Sequence, residues 1–153
     1  MNSAVGGGAI ATSISSSSGI GQIVNSTFIS NSSTNPGYGG ASYGVHRFLN
    51  SILALNTDAS GLNNCGGIGS SNGFNLSDSG PGDCNLTNSS DLVTQKPLLG
   101  PLQNNGGASL TMGLLTGSPG IDQGTNIGCP GTDARGLARP IHGVCDIGAF
   151  ESQ

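Results

Sequence analysis

One spacing governs what this chain can fold into. Val24-Asn25-Ser26 recurs as Leu49-Asn50-Ser51 at a step of 25 residues, and Phe74-Asn75 falls at the next step. The first two copies extend to Asn25-Ser26-Thr27-Phe28-Ile29-Ser30-Asn31 over Asn50-Ser51-Ile52-Leu53-Ala54-Leu55-Asn56, with asparagine at each end and apolar residues between. A unit that short cannot bury an apolar face by itself, so equivalent units must stack and share a core. Stacking places like side chains above one another at about 4.8 Å, and an asparagine repeated at one bend bonds to its copies. The register predicts an inward apolar column of Val24, Leu49 and Phe74, with Asn25, Asn50 and Asn75 as a polar ladder on the bend outside it.

Composition favours short strands and tight turns. Glycine supplies 28 residues, and only four Lys or Arg and eight Asp or Glu are present. Disorder usually brings high charge and few apolar clusters. Here Ile20, Ile23-Val24, Phe28-Ile29, Phe48-Leu49 and Ile52-Leu53-Ala54-Leu55 recur along the chain. Glycine and asparagine provide the positive φ that tight turns need. The first 90 residues hold no long segment of helical period. The expected fold class is all-β, a solenoid of about three rungs over residues 1–96, closed by an irregular C-terminal capping region at 97–153 of the same domain. In that region Pro97-Leu98-Leu99-Gly100-Pro101-Leu102 is barred from a central strand. Asn104-Asn105-Gly106-Gly107 reads as a turn, and Leu110, Met112, Leu114 and Leu115 supply apolar mass. Gly117-Ser118-Pro119-Gly120-Ile121-Asp122-Gln123-Gly124 suits a final unit that covers the open end of the stack.

The net charge of −4 leaves no basic stripe for phosphates, which excludes nucleic acid as a partner class. No apolar run has the length of a membrane span. No secretory leader is read at Met1, so the chain reads as a mature fragment or excised region. Cys65, Cys84, Cys129 and Cys145 contain no C-x-x-C pair. Of the three pairings, the local one, Cys65–Cys84 with Cys129–Cys145, is expected, since each bridge closes a loop poor in apolar residues; four buried free thiols are the alternative. Bridges of that span contribute about 3 kcal/mol each. Asn25, Asn31, Asn75, Asn85 and Asn88 stand in N-x-[ST] sequons and are candidate glycosylation sites.

Three tail segments carry a family resemblance: Gly117 to Gly124, then Asp133-Ala134-Arg135-Gly136-Leu137-Ala138-Arg139-Pro140, then Cys145-Asp146-Ile147-Gly148-Ala149-Phe150-Glu151. They resemble the ending of bacterial secreted β-helix proteins with a choice-of-anchor Q type C-terminal region, whose tails read approximately GSPAIDAG, D-x-RG-x-x-RP and CDIGAFE. Gly73-Phe74-Asn75-Leu76 and the Pro97–Leu102 stretch are similar as well. Gly120, Gln123 and Ala134 depart from that pattern. The resemblance implies a right-handed parallel β-helix, outside the cell or on its surface, and little about ligand.

Polysaccharide lyases and hydrolases also use parallel β-helices, so an enzyme is the rival reading. Glycoside hydrolysis needs paired carboxylates. Asn56-Thr57-Asp58 resembles one motif of the polygalacturonases, but the adjacent Asp pair and the basic motif of that family are missing, and Ile141-His142-Gly143 matches its His motif only in part. No G-x-S-x-G elbow is present. Ser15-Ser16-Ser17-Ser18 reads as an exposed loop. His46 and Arg47 read as a solvated strand edge or turn; with Tyr38 and Tyr43 they form a candidate glycan contact, because aromatics with polar tips suit sugar surfaces. Asp122, Asp133, Arg135, Arg139 and Asp146 form the densest charge group. It reads as an ion-pair network holding the cap, with a calcium or anion site as the alternative. No catalytic residue, metal or cofactor is assigned.

The function expected from these readings is a non-enzymatic extracellular structural or adhesive domain that self-associates, or accepts a covering strand, at an open N-terminal edge. Head-to-tail addition there would build a filament. The competing expectation is a protein that binds or degrades surface polysaccharide, and ice binding ranks last because no regular T-x-T array is present.

Overall fold

A computed structural model describes residues 2–5, 7–12 and 21–153; Ile20 and the Ser15–Ser18 run lie outside them. The fold is all-β, and its sheets are parallel and not closed into a barrel. Its strands are β1 (Ser3–Ala4), β2 (Ile10–Ala11), β3 (Gly21–Val24), β4 (Thr27–Ile29), β5 (Ser32–Ser33), β6 (Ser42–Leu49), β7 (Ile52–Ala54), β8 (Thr57–Asp58), β9 (Gly61–Leu62), β10 (Cys65–Ser71) and β11 (Leu76–Ser77), followed by one 3-10 turn at Asp83–Asn85. They form sheet A (β1-β5-β8-β9), sheet B (β10-β6-β2, with β3 also on β6) and sheet C (β11-β7-β4). All pairings are parallel except β8 with β9. The chain visits sheets B, C and A in turn.

The corners between sheets explain the repeat. Asn25 and Asn50 adopt φ of 42° and 50°, and Ser30 and Leu55 both adopt 55°. These left-handed corners turn the chain from sheet B into C and from C into A, and asparagine tolerates that conformation better than most residues. Side chains then alternate along β6. Ser42, His46 and Phe48 point inward and are buried, while Arg47 points out and is exposed. Inside, Ile23, Ala41, Phe48, Leu53, Cys84 and Leu86 form one core, in which the Phe28 and Phe48 rings meet edge to face at 6.5 Å.

Two expectations about the repeat need correction. Val24 and Leu49 are paired, but on the outward side of β3 and β6, since Ile23 and Phe48 hold the inward positions. The second step is also 24 residues, not 25: Ser26 N–H meets Ser51 Oγ at a separation of 25, whereas Ser51 N–H meets Asn75 Oδ1 at a separation of 24. Asn75 therefore aligns with Ser51, and Phe74, at φ 56°, takes the corner of Asn25 and Asn50. Phe74 still borders Leu49 across an outer cleft with Gln22 and Asn72.

The C-terminal segment also differs from expectation. It lies along the outer face of sheet C rather than over an end of the stack. Ile52, Ala54 and Leu76 point away from the inner core and pack with Ile147, Leu92, Leu99 and Leu114 in a second core. Full burial of each large aliphatic contributes about 1.5–3 kcal/mol. Gly148 makes this approach feasible: its φ is +102°, and a Cβ there would stand 2.7 Å from Ile52 Cδ1. Asn25 and Asn50 reach into the same segment. Asn25 Nδ2 donates to Asp146 O, and Asn50 exchanges two bonds with the Thr125 backbone. The end of the stack is covered instead by residues 80–94, where Cys84 lies against Gly69 and Leu92 bridges Leu76.

Candidate functional site

Both disulfides join the expected local partners, Cys65 with Cys84 and Cys129 with Cys145. Such bonds persist in oxidising compartments. The first clamps the end-covering turn to β10, and the second ties the tail to the loop that follows Asn126. No helix among the described residues is long and apolar enough to cross a membrane.

The carboxylates bear directly on catalysis, and their hydrogen bonds run mostly to backbone. Asp58 accepts from the N–H of Gly37 and Ser60 and from Asn63 Nδ2. Burial pushes its carboxyl up, but those three neighbours outweigh it and hold the group below the usual range. Its motif is thus a turn anchor, consistent with its place beside a corner. Asp83 takes the N–H groups of Asn64 and Cys65, and Asp91 those of Asn75 and Asn88. Asp78 takes Leu55 N–H, Asp146 those of Asp122 and Ser152, and Glu151 those of Ile141 and Asp146.

Asp83 and Asp91 have a further role. Along one corner, Ser26 N–H goes to Ser51 Oγ, Ser51 N–H to Asn75 Oδ1, and Asn75 N–H to Asp91 Oδ1. Along the next, Asn2 N–H goes to Asn31 Oδ1, Asn31 N–H to Asn56 Oδ1, Asn56 Nδ2 to Asn64 Oδ1, and Asn64 N–H to Asp83 Oδ2. Each ladder hands donors toward the later strands. It ends on a carboxylate, an acceptor with no proton of its own to place.

The expected charge network resolves into two pairs. Arg135 stands 2.7 Å from Asp133 and lies over the Phe150 ring at 3.6 Å. Burial raises the Asp133 carboxyl, but Arg135 and the N–H groups of Glu151, Arg135 and Leu137 bring it below the ordinary value. Arg139 Nε lies 3.1 Å from Glu151 Oε2, close enough for an ion pair but out of line for a hydrogen bond, while its other nitrogens donate to the carbonyls of Gly148 and Asp146. Glu151 is thus a member that sequence reasoning left out; its place in the CDIGAFE-like ending was the available signal. Asp122 and Asp146 pair with neither arginine side chain. Asp122 faces His142 at 3.7 Å. The acids do not converge on a point, as a calcium site would require. Among the described residues the close grouping of ligand atoms is Cys65, Asp83 and Cys84, and its two sulfurs are joined to each other.

The candidate glycan contact divides. Tyr38 and Tyr43 stack at 4.2 Å with rings 20° apart, and Arg47 is exposed on the outer face of the same β6 strand. The Tyr43 phenol is raised, by desolvation first and then by Tyr38. His46 does not join them. It points inward, is 2% exposed, and has Nδ1 2.7 Å from Ser42 Oγ; burial lowers its pKa. The expected strand edge or turn is not found, since β6 lies between β10 on one side and β2 and β3 on the other; Arg47 is solvated on the outer face of this central strand and His46 is not, because alternation sends neighbours to opposite faces.

The sequons divide too. Asn85 and Asn88 are exposed, whereas Asn25, Asn31 and Asn75 are buried with their side-chain amides bonded inside the fold. Those three cannot carry a glycan in the folded chain.

No protein-family model, no curated protein and no solved structure matches this chain. The likeness of its tail to the choice-of-anchor Q type ending therefore rests on its residues alone.

Proposed function

We propose that the chain is a right-handed parallel β-helix, of the kind its choice-of-anchor Q-like tail suggests, acting outside the cell as a rigid, non-catalytic structural or adhesive scaffold. One observation carries this reading: every carboxylate except Asp122 accepts a backbone N–H of the protein itself. Acid–base chemistry needs a carboxyl aimed at a substrate proton, and here these groups hold corners, ends and the tail. The disulfides favour an oxidising environment. Head-to-tail growth into a filament needs a free edge at both ends, and the cover over β10 and β11 argues against that mode. Incubation with polygalacturonate and with a neutral β-glucan is the test. No new reducing ends and no unsaturated product are expected; release abolished by Asp58→Asn would overturn the reading.

A second reading, polysaccharide binding, is favoured by the Tyr38–Tyr43 stack and outward Arg47. Strands β2, β3, β6 and β10 carry no Asp or Glu, so this face offers a sugar chain an aromatic surface and a guanidinium without a competing acid. Affinity electrophoresis in the same two polymers should show retardation that Tyr43→Ala and Arg47→Ala each reduce. Equal mobility of wild type and both variants would remove this reading.

A further inference from the structure

We propose that Tyr38 and Tyr43 form an oxidative coupling site, at which a one-electron oxidant fed by hydrogen peroxide joins the two rings as an intrachain dityrosine. This chemistry depends on neither function proposed above. The two are the only tyrosines in the chain, and the fold stacks them at 4.2 Å with their planes 20° apart. The pair is made by a close backbone approach. Tyr43 lies beside Gly66 across the β6–β10 ladder, and a Cβ on Gly66 would stand 2.7 Å from Tyr38 Cα. Glycine at that position lets the Tyr38 backbone settle against β10, where its ring meets Tyr43. Tyr38 itself sits between Gly37 and Gly39, at φ of 77° and 61°, conformations that glycine takes without steric cost. Its hydroxyl is near enough to raise the Tyr43 phenol. Both hydroxyls therefore lie at one end of the stack, and so do the ring carbons ortho to them.

The step balances as follows. The oxidant takes one electron from each phenol, and each phenol releases its hydroxyl proton, leaving two phenoxyl radicals. The unpaired electron of each is shared with the carbons ortho to oxygen, and one such carbon from each ring joins the other in a new C–C bond. The hydrogens on those two carbons then move to the two oxygens and restore two phenols. The chain loses two hydrogen atoms in all, and one peroxide accepts the two electrons and two protons to give two waters. Position favours this product over its rivals. A radical on either ring meets a partner already held against it, an effective concentration that a second molecule cannot match. Other sinks for the radical are few, since the chain has no tryptophan and its four cysteines are paired in disulfides. Both rings are half-buried, so each keeps an edge open to the oxidant.

The test treats the full folded chain, at micromolar concentration, with hydrogen peroxide and a haem peroxidase. Dityrosine fluorescence should appear in a product that runs as a monomer. Its mass should be lower by two hydrogens, unlike the oxygen gained by an oxidised methionine, and peptide mapping should place the link between Tyr38 and Tyr43. This product should exceed covalent dimer by about tenfold or more. Tyr38→Phe and Tyr43→Phe keep a ring in the stack and should leave the circular dichroism spectrum unchanged. Each should lose the linked monomer and retain only dimers joined through the remaining tyrosine. No loss of two hydrogens from folded wild type, or dimer as its main product, would overturn the proposal. So would a linked monomer that persists in either variant, which would put the modification elsewhere.

Discussion

Replacing Asp91 tests whether carboxylates terminate the corner ladders. In Asp91→Ala the fully buried Asn75 loses the acceptor of its main-chain N–H, while its side-chain amide keeps Phe48 O and Ser71 Oγ, and Ser71 loses a bond to the same oxygen. A buried donor left without a partner costs about 1–3 kcal/mol. With one buried donor orphaned and the Ser71 bond lost as well, the expected loss is about 2 kcal/mol, moderated by water entering the space left by the carboxylate. For a chain of this size the unfolding midpoint moves by about 2–4 °C per kcal/mol, so a drop of about 4–8 °C is expected. Asp91→Asn is the informative partner. Its carbonyl oxygen can replace Oδ1 for all three donors, and only the exposed Asn88 N–H loses its acceptor; a loss of about 1 kcal/mol or less is expected. Differential scanning calorimetry of the three proteins at neutral pH decides. If Asp91→Ala melts within about 2 °C of wild type, or the two variants fall together, the ladder does not depend on that acceptor and the reasoning is wrong.

Three further outcomes are expected. His46 has a folded pKa below 6.5 because it is buried. Above pH 6.5 both states are neutral and stability is undiminished; below it the unfolded chain binds the proton first, so stability should fall by up to about 1.4 kcal/mol per pH unit until the folded pKa is reached. His46→Gln should flatten that slope in urea titrations. Asp133 has a folded pKa below its unfolded value of 3.8; its contribution is complete above that value and is lost as pH drops through the folded pKa, so Asp133→Asn should be destabilised at pH 7 but approach wild type near pH 2, read by thermal melts across that range. Reduction of either disulfide should lower stability by about 3 kcal/mol, and Cys129→Ser with Cys145→Ser should also expose the loop after Asn126 to protease sooner than the strands.

The repeat was legible because corner chemistry is local. An asparagine at positive φ, followed by a serine that bonds back to the preceding strand, recurs at the first two passages from sheet B to sheet C, at Asn25-Ser26 and Asn50-Ser51. The local pairing of the cysteines followed from the scarcity of apolar residues in the loops they close. What could not be read was direction and length: Val24 and Ile23 are equally apolar neighbours, and only the pleat decides which faces in. A single residue lost before Asn75 moved the third copy by one position, and Phe74 hid the slip by being apolar where Leu49 was expected. The tail's location was invisible for another reason. Ile52, Ala54 and Leu76 read as core whichever side of the sheet they occupy, and the segment that covers them lies far away in sequence.

That lateral segment bears on how the molecule comes apart. Stacked repeats that touch only their neighbours can fray from an end, one unit at a time. Here a single stretch of chain contacts Asn25 and Thr27 in the first layer, Asn50 and Ile52 in the second and Leu76 in the third, so the terminal layer cannot peel away without tearing a brace shared by all. The array should melt as one block, and it should assemble late, since the brace is made only after residues 120–149 have emerged.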